Sequence, residues 1–141
     1  MIIRQAVLED QAWVDEQYQS VDFIPSDVSQ HYVLMATWNG VPAALGRLVP
    51  LEDGSFEMGG IFVKSDFRKL GIARELVAHL VEKNKGKNGT WCIPFGHLSA
   101  FYQSCGFRKA LAEDPIPAEI RKKVNWCSDY YSSEVDLLYI P

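Results

Sequence analysis

The chain has 141 residues, of which 48% are hydrophobic, 23% charged and 12% aromatic, and its formal net charge is −4. This length and composition predict one globular domain over residues 1–141 and argue against a disordered or fibrous chain, while the negative charge argues against broad nucleic-acid binding. No apolar run reaches the roughly 18 residues of a membrane-spanning helix, the N-terminus lacks a secretion signal and the few cysteines are scattered, so we expect a reduced, cytoplasmic protein with no membrane partner.

The first half of the chain is dominated by strand patterns. The predicted elements are a strand at residues 2–7, a helix at 9–18, an irregular connection or short helix at 20–30, and strands at 32–38, 43–51 and 55–63. Asn39-Gly40 is a strong hairpin turn, so we expect the strands on either side of it to be antiparallel.

The second half mixes helices with short strands. The predicted elements are a helix at 71–84, a strand at 90–93, a short helix at 97–104, a strand from Phe107, a helix from Pro117 to about Trp126, and a strand at 135–140. Hairpins followed by a strand–helix–strand unit predict a three-layer α/β domain of the α+β type, with a mixed, mostly antiparallel central sheet and helices on both faces.

Charge is distributed unevenly along the chain. Residues 1–63 carry two basic and nine acidic side chains, whereas residues 64–87 carry seven basic and three acidic ones. One interpretation is a solvated basic helix face beside an acidic half. The other interpretation is that the middle of the chain binds a polyanion and the acidic half binds a cationic group.

Residues 68–73, with the sequence RKLGIA, connect the predicted strand at 55–63 to the amphipathic helix. The first N–H groups of a helix have no intrahelical acceptor and lie at the positive end of its dipole, so they can bind a phosphate. The alternative is an ordinary helix that starts at a glycine. The two common nucleotide-binding glycine loops are absent from the sequence, and its cysteines and histidines lack the spacing of metal-ligand pairs.

A second motif, FYQSCGF at residues 101–107, follows the first. The two motifs in this order, together with the order of strands and helices, resemble the GNAT superfamily of N-acetyltransferases. Residues 68–73 fit the family loop [QR]-x-x-G-x-[GA] at every fixed position, and residues 101–107 fit F-Y-x-x-x-G-F. The resemblance covers residues 32–110 by motif and the rest by element order. It implies the GNAT fold, whose sheet is splayed between strands 4 and 5.

The resemblance also implies acetyl-CoA as the donor, used as a co-substrate without a metal. In the family, loop amides hold the pyrophosphate and the end of the fourth strand pairs with the pantetheine arm. The implied donor-binding residues are Ile61, Phe62, Val63, Arg68, Lys69, Leu70, Gly71, Ile72, Ala73 and Arg74. Gly59-Gly60 in the same strand indicates a bulge or close backbone approach, with packing against a large neighbour as the alternative.

Two catalytic residues follow from the same resemblance. Tyr102 is expected to protonate the leaving thiolate, against the alternative of a core aromatic whose hydroxyl meets a backbone carbonyl. Glu57 is expected to act as the base or to order a water that does, against the alternative of a solvated charge. The Val63 amide is expected to stabilise the oxyanion.

Three other residues could carry chemistry but are expected to be structural. His97 is a second candidate base, although we expect it to cap the helix that leads to Tyr102. Cys105 is expected to be a buried neutral thiol, and so is Cys127, for which an acyl relay is the alternative.

The acceptor is predicted to be the primary amine of a small molecule, with a protein or peptide amine as the other class, and the chain to be a monomer or homodimer. One candidate wall of the acceptor site is Tyr18, Asp22, Phe23 and Asp27, which would suit a cationic amine, and another is Trp126, Tyr130 and Tyr131. These aromatic residues could equally be core or a dimer contact. The alternative functions are an acyl-CoA-binding sensor without turnover and a domain that binds another phosphate ligand.

Overall fold

A computed structural model describes residues 1–86 and 88–141 and forms seven strands and four α-helices within them. The strands are β1 (Ile2–Gln5), β2 (Tyr32–Trp38), β3 (Val41–Pro50), β4 (Phe56–Val63), β5 (Thr90–Cys92), β6 (Arg108–Lys109) and β7 (Leu138–Ile140). The helices are α1 (Gln11–Ser20), α2 (Ile72–Lys83), α3 (Ser99–Ser104) and α4 (Ala118–Tyr130).

The strands form one mixed sheet in the order β1-β2-β3-β4-β5-β7-β6. The pairs β1/β2, β2/β3, β5/β7 and β6/β7 are antiparallel, and β4/β5 is parallel. The parallel pairing covers Phe56–Met58 and ends well before β4 does. The predicted fold class, a mostly antiparallel mixed sheet with helices around it, is confirmed.

The chain divides into two compact units. The first unit comprises Met1–Val49 and Gly59–Lys83, and the second comprises Pro50–Met58 and Asn84–Pro141. The first unit therefore holds α1, α2, most of β3 and the end of β4. The second unit holds the start of β4 and all elements from β5 onward.

Two neighbouring residues of β3 show how the helices of the first unit are arranged. Consecutive strand residues point to opposite faces, and Gly46 and Arg47 do so here. A Cβ on Gly46 would lie 2.5 Å from Ile61 Cδ1 and 3.2 Å from Leu80 Cδ1, so α2 covers that face. Arg47 lies against the ring of Tyr18, so α1 covers the other face. The first unit is thus helix, sheet and helix in three layers.

The core of the second unit forms around stacked aromatic rings. The Trp91 and Tyr139 rings are 3.9 Å apart and nearly parallel, on adjacent strands. Ile120 of α4 packs in the same cluster. Helix α4 ends at Tyr130, four residues beyond the predicted end, and β7 is shorter than predicted because Val135 makes only an isolated bridge to Phe95.

Candidate active site

In the first unit, the segment between β4 and α2 has an unusual backbone. A 3₁₀ turn at Ser65–Phe67 follows β4, and Lys69 and Gly71 then adopt φ of 65° and 81°. A Cβ on Gly71 would have no heavy atom within 4 Å, so protein packing does not explain the glycine. The left-handed backbone does explain it, and the space beside Gly71 is open.

The same segment presents unused hydrogen-bond donors. Glu75 N–H donates to the Gly71 carbonyl, which closes the first turn of α2. Among the described residues, the N–H groups of Gly71, Ile72 and Ala73 donate to no acceptor. Residues 68–71 are exposed, and Arg68 Nε donates back to the Val63 carbonyl at 3.2 Å. Turns that contain left-handed residues and present free amides are typical of an anion site.

Strand β4 bends beside this segment at Gly60, whose φ is 60°. Tyr18 donates its hydroxyl proton to the Gly60 carbonyl at 2.8 Å, and a Cβ on Gly60 would lie 2.5 Å from that hydroxyl. Both features considered for Gly59-Gly60 are therefore found at Gly60, a bent backbone and a large packing neighbour. Ile61, Phe62 and Val63 follow the bend and are half-buried.

In the second unit, Glu57 is buried and ion-paired. Each of its carboxylate oxygens accepts from Lys123 Nζ at 2.7 Å, and the Glu57 side chain is 8% exposed. The alternative of a solvated charge is therefore wrong. Lys123 was missed from the sequence, but its spacing offers a signal. It lies three residues after Ile120 and four before Cys127, so a charged residue falls on the buried face of α4.

Tyr102 of α3 is buried with its ring edge-on to Phe101 and Phe107. Burial raises the pKa of its hydroxyl, and Cys92 and Cys105 raise it further. No described residue hydrogen-bonds this hydroxyl, and it is not among the fully buried polar atoms left without a partner. The hydroxyl therefore stays protonated and reaches solvent, and the backbone carbonyl of the alternative interpretation is not found among the described residues.

The thiol of Cys92 interacts electrostatically with both Glu57 and Tyr102. Burial, followed by the Glu57 carboxylate, raises the pKa of the Cys92 thiol. Cys92 also raises the pKa of the Tyr102 hydroxyl. The second unit therefore brings Glu57, Cys92 and Tyr102 near one another. Burial also raises the pKa of Cys127, while Lys123 opposes the shift. Both thiols remain neutral, which fits the structural role expected of Cys127, whereas Cys105 is half-buried and not buried as expected.

His97 does not cap the helix that leads to Tyr102. The 3₁₀ turn at Gly96–Leu98 and α3 both begin without a side-chain cap, so this expectation is wrong. His97 is exposed and its ring stacks on Phe95 at 6.1 Å. The backbone itself closes the turn, since Leu98 N–H donates to the Phe95 carbonyl at 2.9 Å.

The acidic residues expected to line the acceptor site lie at the surface. Asp22 and Asp27 are exposed, and the Asp27 carboxylate is used within its own turn, where it accepts from the Ser29 N–H and hydroxyl. Tyr18 is buried with only 1% exposure. The charge that faces Tyr18 is basic, since the Arg47 guanidinium lies 4.8 Å from its ring centroid.

The other candidate wall is an aromatic group in the second unit. Trp126 and Tyr130 stack at 4.7 Å, and both rings are edge-on to Tyr131. Trp126 is 42% and Tyr130 53% exposed, so these two are not core residues. A role in acceptor binding stays a prediction.

Neither a metal-ion site nor a membrane-spanning helix is formed by the described residues. No three of their histidine, cysteine and acidic side chains are grouped so as to hold a metal ion. No helix formed by them has the length and apolar character needed to cross a membrane.

Comparison with known proteins places the chain in a family. A sequence model of the Acetyltransferase (GNAT) domain matches residues 29–109. The UPF0039 protein C11D3.02c of Schizosaccharomyces pombe is 30% identical over 121 residues, covering 79% of each chain. The chain belongs to the GNAT acetyltransferase family.

Solved structures share the fold at low sequence identity. N-acetylglutamate synthase from Neisseria gonorrhoeae, complexed with coenzyme A and N-acetyl-glutamate, has a TM-score of 0.72 at 19% identity over 98% of this chain. The match spans only 34% of the synthase. The ribosomal-protein-S18-alanine N-acetyltransferase of Escherichia coli has a TM-score of 0.70 at 19% identity, over 99% of this chain and 92% of its own.

Proposed function

We propose that this protein is an acetyl-CoA-dependent N-acetyltransferase that transfers the acetyl group directly to the primary amine of a small molecule within a ternary complex. One observation carries the proposal, namely the segment before α2. It combines free N–H groups at residues 71–73, a left-handed glycine and open space beside that glycine. These features fit a phosphate group that approaches the backbone closely.

The donor is held by residues of the first unit. The amides of residues 68–73 bind the pyrophosphate, and Arg68, Lys69 and Arg74 contribute positive charge there. The backbone of Ile61, Phe62 and Val63 pairs with the pantetheine arm after the bend at Gly60. The coenzyme A in the Neisseria synthase of similar fold supports this class of ligand.

Transfer to an amine requires a deprotonated nucleophile, stabilisation of the oxyanion and a proton for the leaving thiolate. Glu57 removes the amine proton directly or through a water, and the Val63 amide stabilises the oxyanion. Tyr102 donates a proton to the thiolate. A hydroxyl that remains protonated and reaches solvent supports this role.

Donor binding is tested with two matched glycine variants of the first unit. Gly71 and Gly40 both have positive φ, and a Cβ on either would meet nothing within 4 Å. Gly71→Ala and Gly40→Ala therefore introduce similar backbone strain, of about 1 kcal/mol. By calorimetry, we expect Gly71→Ala to weaken acetyl-CoA binding about tenfold and Gly40→Ala to leave it unchanged. Equal affinities of the two variants would contradict the proposed phosphate site.

Turnover is tested by thiol release from acetyl-CoA in the presence of a panel of amines. Release that depends on an amine supports the enzyme. Tight acetyl-CoA binding without release would indicate the non-catalytic sensor, and absence of both would indicate a domain that binds another phosphate ligand.

A further inference from the structure

Arg47 is a buried cation without an acidic partner. It is 4% exposed and lies in the centre of β3, between Gly46 and Leu48. Its Nη1 donates to the Ile24 carbonyl at 2.7 Å, and its guanidinium faces the Tyr18 ring. Among residues 1–86 and 88–141, no carboxylate forms an ion pair with it.

This arrangement leaves most of the guanidinium unused. An arginine has five N–H donors, and removing its charge from water is costly unless an anion or several acceptors compensate. One carbonyl and one ring provide only part of that compensation. None of the guanidinium nitrogens is among the fully buried atoms without a partner, so the unused N–H groups reach solvent. A small anion that accepted hydrogen bonds from these N–H groups would complete the compensation of the charge.

The unused donors lie close to the bend of β4. Tyr18 connects the two features, since one face of its ring meets Arg47 and its hydroxyl holds the Gly60 carbonyl. Phe23 packs 6.1 Å from the Tyr18 ring, and Phe62 is half-buried against the same core cluster. A molecule that contacts Arg47 would therefore lie beside partly apolar walls and next to the strand end assigned to the acetyl donor.

From this geometry we infer that the acceptor is an amine that also carries a carboxylate, such as an amino acid, and that Arg47 binds this carboxylate. The inference rests on the proposed function. A guanidinium matches a carboxylate with two parallel charge-assisted hydrogen bonds, which a carbonyl or hydroxyl group cannot provide. Composition alone predicts a cationic group near the acidic first 63 residues. The structure instead buries a positive charge there, which favours an acceptor with a negatively charged group.

If the role of Arg47 is purely structural, a different result is expected. Its contacts with Ile24 and Tyr18 would then stabilise the fold, and replacing Arg47 would affect stability and the turnover of all amines alike. As a carboxylate site, it distinguishes an amino acid from the corresponding amide. The relevant measurement is therefore a ratio of specificity constants, which a general loss of activity does not change.

The experiment measures kcat/KM for glycine, L-leucine, L-glutamine and L-phenylalanine and for their four amides. Rates are compared at equal concentrations of unprotonated amine, because the amides are less basic. We expect the wild type to favour the best acid over its amide, and Arg47→Gln to lower kcat/KM for that acid by about 10- to 100-fold while the amide changes little. Arg47→Lys should be intermediate, since it keeps the charge without the planar fork.

Tyr18→Phe is the control, because it removes the hydrogen bond to Gly60 and keeps the ring under Arg47. It should slow acids and amides equally and preserve their ratio. If Arg47→Gln unfolds, the acid-to-amide ratio of kcat/KM in the wild type and in Arg47→Lys still tests whether Arg47 binds the carboxylate. Thiol release with amines that lack a carboxylate, and no preference for acids, would overturn the inference and leave the acetyltransferase intact. No release with any amine would overturn both.

Discussion

Arg47 and Lys123 are both cations on the inner faces of their elements. They differ in the groups that compensate their positive charge. Lys123 contacts both oxygens of Glu57, whereas Arg47 has one carbonyl and one ring. A balanced pair is stable in the resting protein and can hold a carboxylate in place. A cation that lacks an acid is better suited to a ligand that supplies one. We therefore assign Lys123 to positioning and Arg47 to binding.

The role of Tyr102 depends on one hydroxyl, which Tyr102→Phe removes while the ring keeps its contacts with Phe101 and Phe107. We expect kcat to fall about 100-fold, because the thiolate would leave without a proton. The Kd for acetyl-CoA, measured by calorimetry, and the thermal midpoint should change little. Wild-type kcat in this variant would exclude Tyr102 as the acid.

At the scale of elements, helix α4 is held to β4 by the pair between Lys123 and Glu57. Lys123→Met would leave a buried carboxylate without its cation, and since Lys123 is 23% exposed we expect a loss of about 2 kcal/mol of unfolding free energy at neutral pH.

Urea unfolding of Lys123→Met at pH 8, compared with the wild type, measures this loss. Glu57→Gln/Lys123→Met is the matched control, because it removes both charges and should recover part of the stability at pH 8. Wild-type stability in Lys123→Met, or no recovery in the double variant, would mean that the pair does not hold α4.

Local patterns determine how much of this fold can be predicted from the sequence. The predicted limits of β2 agree with the structure because Asn39-Gly40 fixes the turn after it. The apolar residues of α2 at helical spacing are also buried, namely Ile72, Leu76, Val77 and Leu80. Contacts between residues far apart in the sequence cannot be predicted from local patterns. Glu57 and Lys123 are 66 positions apart and Arg47 and Ile24 are 23 apart, so local spacing does not show these contacts. The free N–H groups before α2 could be predicted because residues 71–73 are contiguous in the sequence.

Over the whole molecule, the contrast between the acidic first 63 residues and the basic residues 64–87 should govern how the donor is captured. Acetyl-CoA is a polyanion, and its attraction to a basic segment on an otherwise acidic chain is screened by salt, with a Debye length of about 10 Å at 0.1 M. We expect the Kd for acetyl-CoA to rise about tenfold between 20 mM and 300 mM KCl.

This dependence should come from exposed charge beside the proposed phosphate site rather than from the free amides. Lys69→Gln removes one such charge at an exposed position and keeps the backbone donors, so its Kd should be higher at low salt and rise less steeply. Acetyl-dephospho-CoA, which carries fewer charges, should likewise give a shallower slope with the wild type. Calorimetry at four salt concentrations measures all three slopes. A Kd that stays constant across this range would mean that the basic segment is only a solvated helix face, and that the backbone donors alone hold the diphosphate.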